Sequence, residues 1–202
     1  LAARLASLSK GYSGVSWDLL NLLVELINRN ILPIIPQEGS VGASGDLTPL
    51  SYVAGTLIGE RDTLYKGEVT VASDAFKQEG LEAITLRPKE GLAIMNGTAV
   101  MTALACLAYK RAEYATKLAA RITALSSLAL KGNSNHFDDI LFSVKPHIGQ
   151  QQVAAWIRRD LNHYEHPRNA DRLQDRYSIR CAPHVIGVLQ DSLPFFRSLI
   201  EN

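Results

Sequence analysis

The chain has 202 residues, 47% hydrophobic and 20% charged, with 21 Lys and Arg against 20 Asp and Glu and a formal net charge of +1. At roughly 100–200 residues per domain this is one large globular domain or two small ones, and so even a balance offers no basic surface for nucleic acid or an anionic membrane. Apolar runs broken by charge fall short of the ~18 apolar residues of a membrane span, and no stretch reads as a signal peptide. Cys106 and Cys181 stand far apart in apolar helical settings, which predicts two buried, reduced thiols in a cytoplasmic protein.

From Trp17 to Asn30 the residues Leu19, Leu20, Leu22, Leu23, Leu26 and Ile27 recur at helical spacing behind Ser16, a suitable N-cap. Pro33 and Pro36 end that helix and force an extended stretch. Gln37 to Asp46 holds three glycines in ten residues with no apolar period, so it reads as a loop. A helix follows at once, with Asp46 as its expected cap and Leu50, Val53, Ala54 and Leu57 on one face. Arg61 to about Arg87 reads as a hairpin around Lys66-Gly67 plus a short helix. From Glu90 to Ala129 there is no proline and alanine and leucine dominate, which predicts one continuous helix spanning roughly 60 Å. A domain of this size does not cover such a rod, so its apolar sides are expected to need partner subunits. Gly132-Asn133-Ser134 ends it, and shorter helices are predicted over about 137–144, 148–162 and 184–200. The last two flank a polar, His-containing stretch from Asn162 to Arg180. The predicted fold is all-α, a long-helix bundle with one specialised Gly-rich loop. Trp17 and Trp156 read as core or subunit-contact residues.

A Gly-rich loop ahead of a helix invites a phosphate-binding reading, but no Lys-Ser/Thr pair follows the glycines, and Asp46 would repel an anion. An ordinary capped turn is the plain alternative. A third reading rests on backbone chemistry. In Ala43-Ser44-Gly45 the Gly45 nitrogen can attack the Ala43 carbonyl carbon when the loop is compressed, and glycine tolerates the strained dihedrals this requires. Loss of one water closes a five-membered ring, and loss of a second from Ser44 leaves an exocyclic methylene. The product, 4-methylidene-imidazol-5-one (MIO), is a strong electrophile made without an external cofactor. The tripeptide by itself is common; its surroundings make it specific.

Gly42-Ala43-Ser44-Gly45-Asp46-Leu47-Thr48-Pro49-Leu50 resembles the signature of the aromatic amino-acid ammonia-lyases that act on histidine, phenylalanine or tyrosine. Three further stretches resemble that family in the same order: Lys10-Gly11-Tyr12-Ser13-Gly14, Lys89-Glu90-Gly91-Leu92-Ala93-Ile94-Met95-Asn96-Gly97-Thr98, and Gln174-Asp175-Arg176-Tyr177-Ser178-Ile179-Arg180-Cys181-Ala182-Pro183. The resemblance covers essentially the whole chain. It implies a fumarase/aspartase-like helical bundle, a homotetramer whose subunits share active sites, and elimination of ammonia from an aromatic α-amino acid to give the 2,3-unsaturated acid. Family members extend further at both ends, where a mobile-loop tyrosine assigned as the base and other pocket residues lie. The resemblance therefore implies that residues 1–202 are a central piece of the helical lyase domain, with little or no activity alone.

The chemistry sets the roles. Ammonia is a poor leaving group and the β proton is weakly acidic. The reaction therefore needs an electrophile for the amine, a base, and a cation holding the carboxylate still. The resemblance puts Ala43, Ser44 and Gly45 in the cofactor and Arg180 on the carboxylate, where a guanidinium grips with two parallel hydrogen bonds. Asn96 is expected against the ring and the carboxylate, inside a helix, where Asn is otherwise unfavoured. Gln174 and Tyr177 match pocket residues. Leu92, one turn before Asn96, is expected to line the aromatic pocket. Asp46 is expected to cap the following helix and help compress the loop. The five histidines include His163-Tyr164-Glu165-His166, but no His-Glu-x-x-His pattern or Cys pair accompanies them, so no metal site is predicted. Two other functions suit the same residues: an aminomutase on this scaffold, and a non-catalytic helical oligomerisation module.

Overall fold

The computed structural model describes residues 1–162 and 172–202. The chain divides into two compact units, Leu1–Leu104 and Ala105–Asn202, and the division falls within one helix.

The first unit begins with α1 (Ala2–Leu8) and α2 (Trp17–Asn28). Ser16 caps α2 as its position suggests, its Oγ accepting from the Leu19 amide at 3.4 Å. Leu19, Leu22, Leu23 and Leu26 of α2 are buried with Leu50, Val53, Ala54 and Leu57, which form the inner face of α3 (Leu47–Leu57). Phe76 of α4 (Ala72–Glu79) and Ile94 of α5 (Glu90–Met95) complete this core. Between α3 and α4 the predicted hairpin is present as β2 (Asp62–Tyr65) and β3 (Glu68–Val71). Lys66 and Gly67 both have positive φ, 52° and 86°, the conformation that tight two-residue hairpins require. The sequence did not foretell that β1 (Leu32–Pro33) would add to β2 antiparallel, Leu32 opposite Leu64 and Pro33 opposite Thr63. The fold remains helical around this small sheet.

Glu90 is buried, 2% exposed. Its Oε1 accepts from the Ser16 amide at 2.7 Å and its Oε2 from the Arg87 amide at 2.6 Å, tying the start of α5 to the start of α2. Burial pushes this carboxyl up, but the amide donors outweigh it and hold the group below its ordinary range.

The predicted 90–129 helix is interrupted. α5 ends at Met95, and α6 (Ala99–Ala129) begins after a break at Asn96-Gly97-Thr98. Asn96, with φ −85° and ψ 96°, closes α5 instead of lying inside a helix. α6 runs on into the second unit and leaves Leu104, Leu107, Ile122 and Leu125 exposed. A stretch of 18 residues within Glu90–Ala129 reaches a mean hydropathy of 1.6, long and apolar enough by composition to cross a bilayer, against the expectation from the sequence. Its alanines raise the mean without making runs of large apolar residues. Length and composition do not separate such a helix from the core helix of a soluble assembly.

The second unit continues with a 3-10 turn (Ser134–Phe137), α7 (Asp139–Ser143), α8 (Ile148–Asp160), α9 (Tyr177–Arg180) and α10 (Ala182–Glu201). Its core gathers Ala120, Ala124, Phe137, Val153, Ile157, Leu161 and Ile179, with Trp156 packed alongside. α8 and α10 approach closely at Gly149 and Gly187, where a Cβ on Gly149 would meet the Gly187 carbonyl. Asp191 of α10 caps α8 from outside, its Oδ1 accepting from the Gly149 amide at 2.5 Å. The expectation of two buried thiols is corrected: Cys106 is exposed on α6 and Cys181 is partly buried, both free. Trp17 is exposed at the start of α2, which removes the core reading for it and leaves that of a subunit contact.

Candidate active site

Three of the loop glycines adopt positive φ: Gly39 at 146°, Gly42 at 64° and Gly45 at 77°. Gly45 has a second constraint, since a Cβ there would collide with the Gly97 carbonyl oxygen. The carboxyl end of the loop is thereby held against the break between α5 and α6. The Asp46 amide donates to Gly97 O at 2.7 Å. Ala43 and Ser44 are exposed, and among the described residues no hydrogen bond engages the Gly45 amide or the Ala43 carbonyl.

Asp46 departs from its expected role. It occupies the N-cap position of α3, but its side chain makes no capping bond there. The buried carboxylate instead accepts from the Met101 amide at 2.9 Å through Oδ2, and from Ser40 Oγ at 3.4 Å through Oδ1. Met101 lies in the first turn of α6, whose amides have no partner within the helix. Asp46 therefore caps α6, and its negative charge suits that helix end. Asn96 is exposed beside this junction, and its amide donates to Leu92 O at 2.8 Å. Leu92 is exposed one turn earlier.

The first unit thus holds Ala43, Ser44, Gly45, Leu92 and Asn96, and the second unit holds Gln174, Tyr177 and Arg180. Tyr177 and Arg180 fall within a predicted polar stretch that contains the short helix α9. Their i,i+3 spacing puts both on one face, and the Arg180 guanidinium carbon lies 4.1 Å from the centre of the Tyr177 ring. Arg180 is partly buried, and its Nε has no hydrogen-bond partner among the described residues. Gln174 is exposed just ahead of α9.

The motif's anchor is a residue given no role from the sequence. Asp175 is 5% exposed, its Oδ2 accepts from the Asn133 amide at 2.6 Å, and Arg172 lies 3.4 Å from its Oδ1. The Asp175 amide donates to His136 Nε2 at 3.0 Å, so His136 must be neutral at that nitrogen. Burial pushes the His136 pKa down and the Arg180 charge pushes it further, against the opposing pull of Asp175. The only signal in the sequence was a charge held in a motif between polar neighbours. A folded-state pKa below the ordinary value of 6.5 means that the unfolded chain takes up protons first as pH falls. Stability is therefore fully present above that value and lost below it. We expect the urea midpoint to fall as the pH is lowered below about 6.5, the ordinary value of the group. A His136→Asn variant with the same pH-dependent loss as the parent would remove this assignment.

His163-Tyr164-Glu165-His166 lies outside the described residues. Among the described residues, no group of three or more His, Cys, Asp or Glu is placed to hold a metal ion.

A family model described as aromatic amino acid lyase matches residues 1–202. The histidine ammonia-lyase of Bos taurus is 42% identical over 210 residues, covering 100% of this chain and 32% of that protein. The crystal structure of the ergothioneine-degrading enzyme ergothionase from Treponema denticola superposes with a TM-score of 0.92 at 30% identity, over 100% of this chain and 41% of that one. Tyrosine aminomutase from Streptomyces globisporus gives a TM-score of 0.84 at 36% identity, over 96% of this chain and 40% of its own. The chain spans about a third of the length of the curated relatives it matches. With a match from end to end, and both halves of the chain carrying the family's motifs, the chain belongs to the aromatic amino acid lyase family, a family of carbon–nitrogen lyases.

Proposed function

We propose that the protein is an MIO-dependent ammonia-lyase that eliminates ammonia from an aromatic amino acid, histidine ahead of tyrosine and phenylalanine, to give the 2,3-unsaturated acid. The similarity to histidine ammonia-lyase favours histidine. The observation that carries the cofactor reading is the packing of Gly45: a left-handed glycine with no room for a side chain, backed by the Gly97 carbonyl. Ala43, Ser44 and Gly45 fit the ring because the two atoms to be joined, the Gly45 nitrogen and the Ala43 carbonyl carbon, belong to groups without other hydrogen bonds among the described residues. The first water takes the Ala43 oxygen with one hydrogen each from the Gly45 and Ser44 amides. The second takes the Ser44 hydroxyl and its α hydrogen.

The closed ring supplies an electrophile for the substrate amine. Arg180 holds the carboxylate through its guanidinium. Tyr177, stacked on that guanidinium, keeps it oriented. The Asn96 side-chain amide would hydrogen-bond the ring and the carboxylate, Leu92 would line the aromatic pocket, and Gln174 would contact the substrate. The base belongs to segments of the family that this chain does not span. The wider reading is a cytoplasmic homotetramer. The association of copies is supported by the exposed apolar residues of α6 and α10 and an apolar groove of about 350 Å³ lined by Ala108, Tyr109, Leu193 and Phe196, surfaces that further copies would cover.

The test is intact mass. The natural polypeptide that carries this sequence is expected to weigh two waters less than its encoded sequence, and a polypeptide at its encoded mass would overturn the cofactor reading. The likeness to tyrosine aminomutase keeps a second reaction in view, return of the ammonia to the β carbon. Product analysis separates the two, since a β-amino acid forms only in the second.

A further inference from the structure

Arg4 stands on the apolar side of α1, one turn before Leu8, and both are buried. Its Nη2 donates to the Ala93 carbonyl and, at 3.0 Å, to the Asn96 carbonyl. These oxygens lie at the carboxyl end of α5, where acceptors run out of helical partners and a cation is favoured. The same guanidinium packs so tightly on Gly97 that a Cβ there would collide with it. Gly97 in turn offers its carbonyl to the Asp46 amide and fills the space beside Gly45. A line of contacts thus runs from Arg4 through Asn96 and Gly97 to Gly45 and Asp46.

The cost of this arrangement points away from a purely stabilising role. Arg4 Nε is buried with no hydrogen-bond partner among the described residues. Burial lowers the guanidinium pKa, which marks the cation as poorly solvated. An apolar side chain of similar length would avoid that penalty.

We propose that Arg4 is a positioning residue for the cofactor loop: it clamps the Asn96-Gly97 break so that the Gly97 carbonyl holds the Gly45-Asp46 backbone in the compressed form that ring closure needs. The inference rests on the reading of Ala43-Ser44-Gly45 given above. Arg4 touches none of the atoms that react. It acts through Gly97.

The experiment compares the natural polypeptide that carries this sequence, the parent, with its Arg4→Met and Arg4→Lys variants. It reads the time course of the two-water mass loss, thermal unfolding, and amide hydrogen exchange at Asp46, Met101, Leu22 and Leu23. Arg4→Met is expected to unfold cooperatively, yet to lose the two waters about tenfold more slowly or worse. Exchange at Asp46 and Met101 is expected to rise by about the same factor while Leu22 and Leu23 in α2 keep their protection. Arg4→Lys keeps a cation able to reach one carbonyl, so it should recover part of both effects, and it carries the comparison alone where Arg4→Met fails to fold. Parental dehydration with parental exchange in the variants overturns the proposal, as does a uniform rise in exchange that includes Leu22 and Leu23. A parent that never loses two waters overturns the cofactor reading instead. The exchange data then decide the clamp separately: selective loss at Asp46 and Met101 upholds it, and no change refutes it.

Discussion

Ser44→Ala is expected to leave the fold intact and to stop cofactor formation. Ser44 is exposed in the loop, and its side chain makes no hydrogen bond among the described residues. Stability should therefore stay within about 0.5 kcal/mol of the parent. Chemistry should not survive. Alanine has no hydroxyl to lose, so the second water cannot leave and no exocyclic methylene forms. Without an electrophile for the amine, the elimination faces a poor leaving group unaided. In the natural polypeptide that carries this sequence, kcat is expected to fall by at least about a thousandfold, roughly 4 kcal/mol of barrier. Intact mass and turnover should be measured on the same preparation. A Ser44→Ala chain showing the parent's two-water deficit, or the parent's turnover, would sink the cofactor assignment.

Removing the cation at Arg180 should have the second largest effect. In its proposed role its two hydrogen bonds to the substrate carboxylate would be charge-assisted, and each such bond is worth about 1.5–3 kcal/mol. Arg180→Met is then expected to lower kcat/KM by roughly two to four orders of magnitude. Arg180→Lys should recover only part, because a point charge lacks the planar fork. The folded chain should scarcely notice, since the guanidinium chiefly stacks on Tyr177, an interaction worth about 0.5–1 kcal/mol. An independent sign follows from His136. The Arg180 charge helps push its pKa down, so without Arg180 the folded-state pKa moves back toward the unfolded one. The loss of stability on acidification should then shrink. Parental kcat/KM in Arg180→Met would refute the carboxylate role, whatever the pH profile does.

Both variants act on residues that the sequence singled out, but the groups holding them were not legible there. The leucines of α2 and the inner face of α3 follow from apolar spacing, because amphipathic helices bury the stripe that local periodicity writes. The hairpin at Lys66-Gly67 is equally local, set by two residues at positive φ. The break at Asn96-Gly97-Thr98 is not. Nothing between Glu90 and Ala129 forbids a continuous helix except Gly91 and Gly97; each glycine costs a helix only about 1 kcal/mol, and Gly91 lies inside α5 without breaking it. Arg4 and Asp46, far away in sequence, supply the donors and acceptors that let the chain leave the helix there. The same dependence explains why Asp46 caps α6 and leaves α3 uncapped by its side chain: the nearer amides are available locally, but the loop aims its carboxylate at Met101.

The sequence by itself determined the helical class, the Gly-rich loop and the order of the motifs, and it nominated the residues proposed to bear chemistry. These are local properties, carried by periodicity, by turn residues and by short signatures. Only the tertiary structure decided that Gly45 is backed by the Gly97 carbonyl, that Arg4 grips the carbonyls of Ala93 and Asn96, and that Asp175 is anchored through Asn133 and His136. Those arrangements join residues far apart along the chain. Their energies come from satisfying buried donors and acceptors, which no local pattern records, because a buried polar group is defined by what the rest of the fold places beside it.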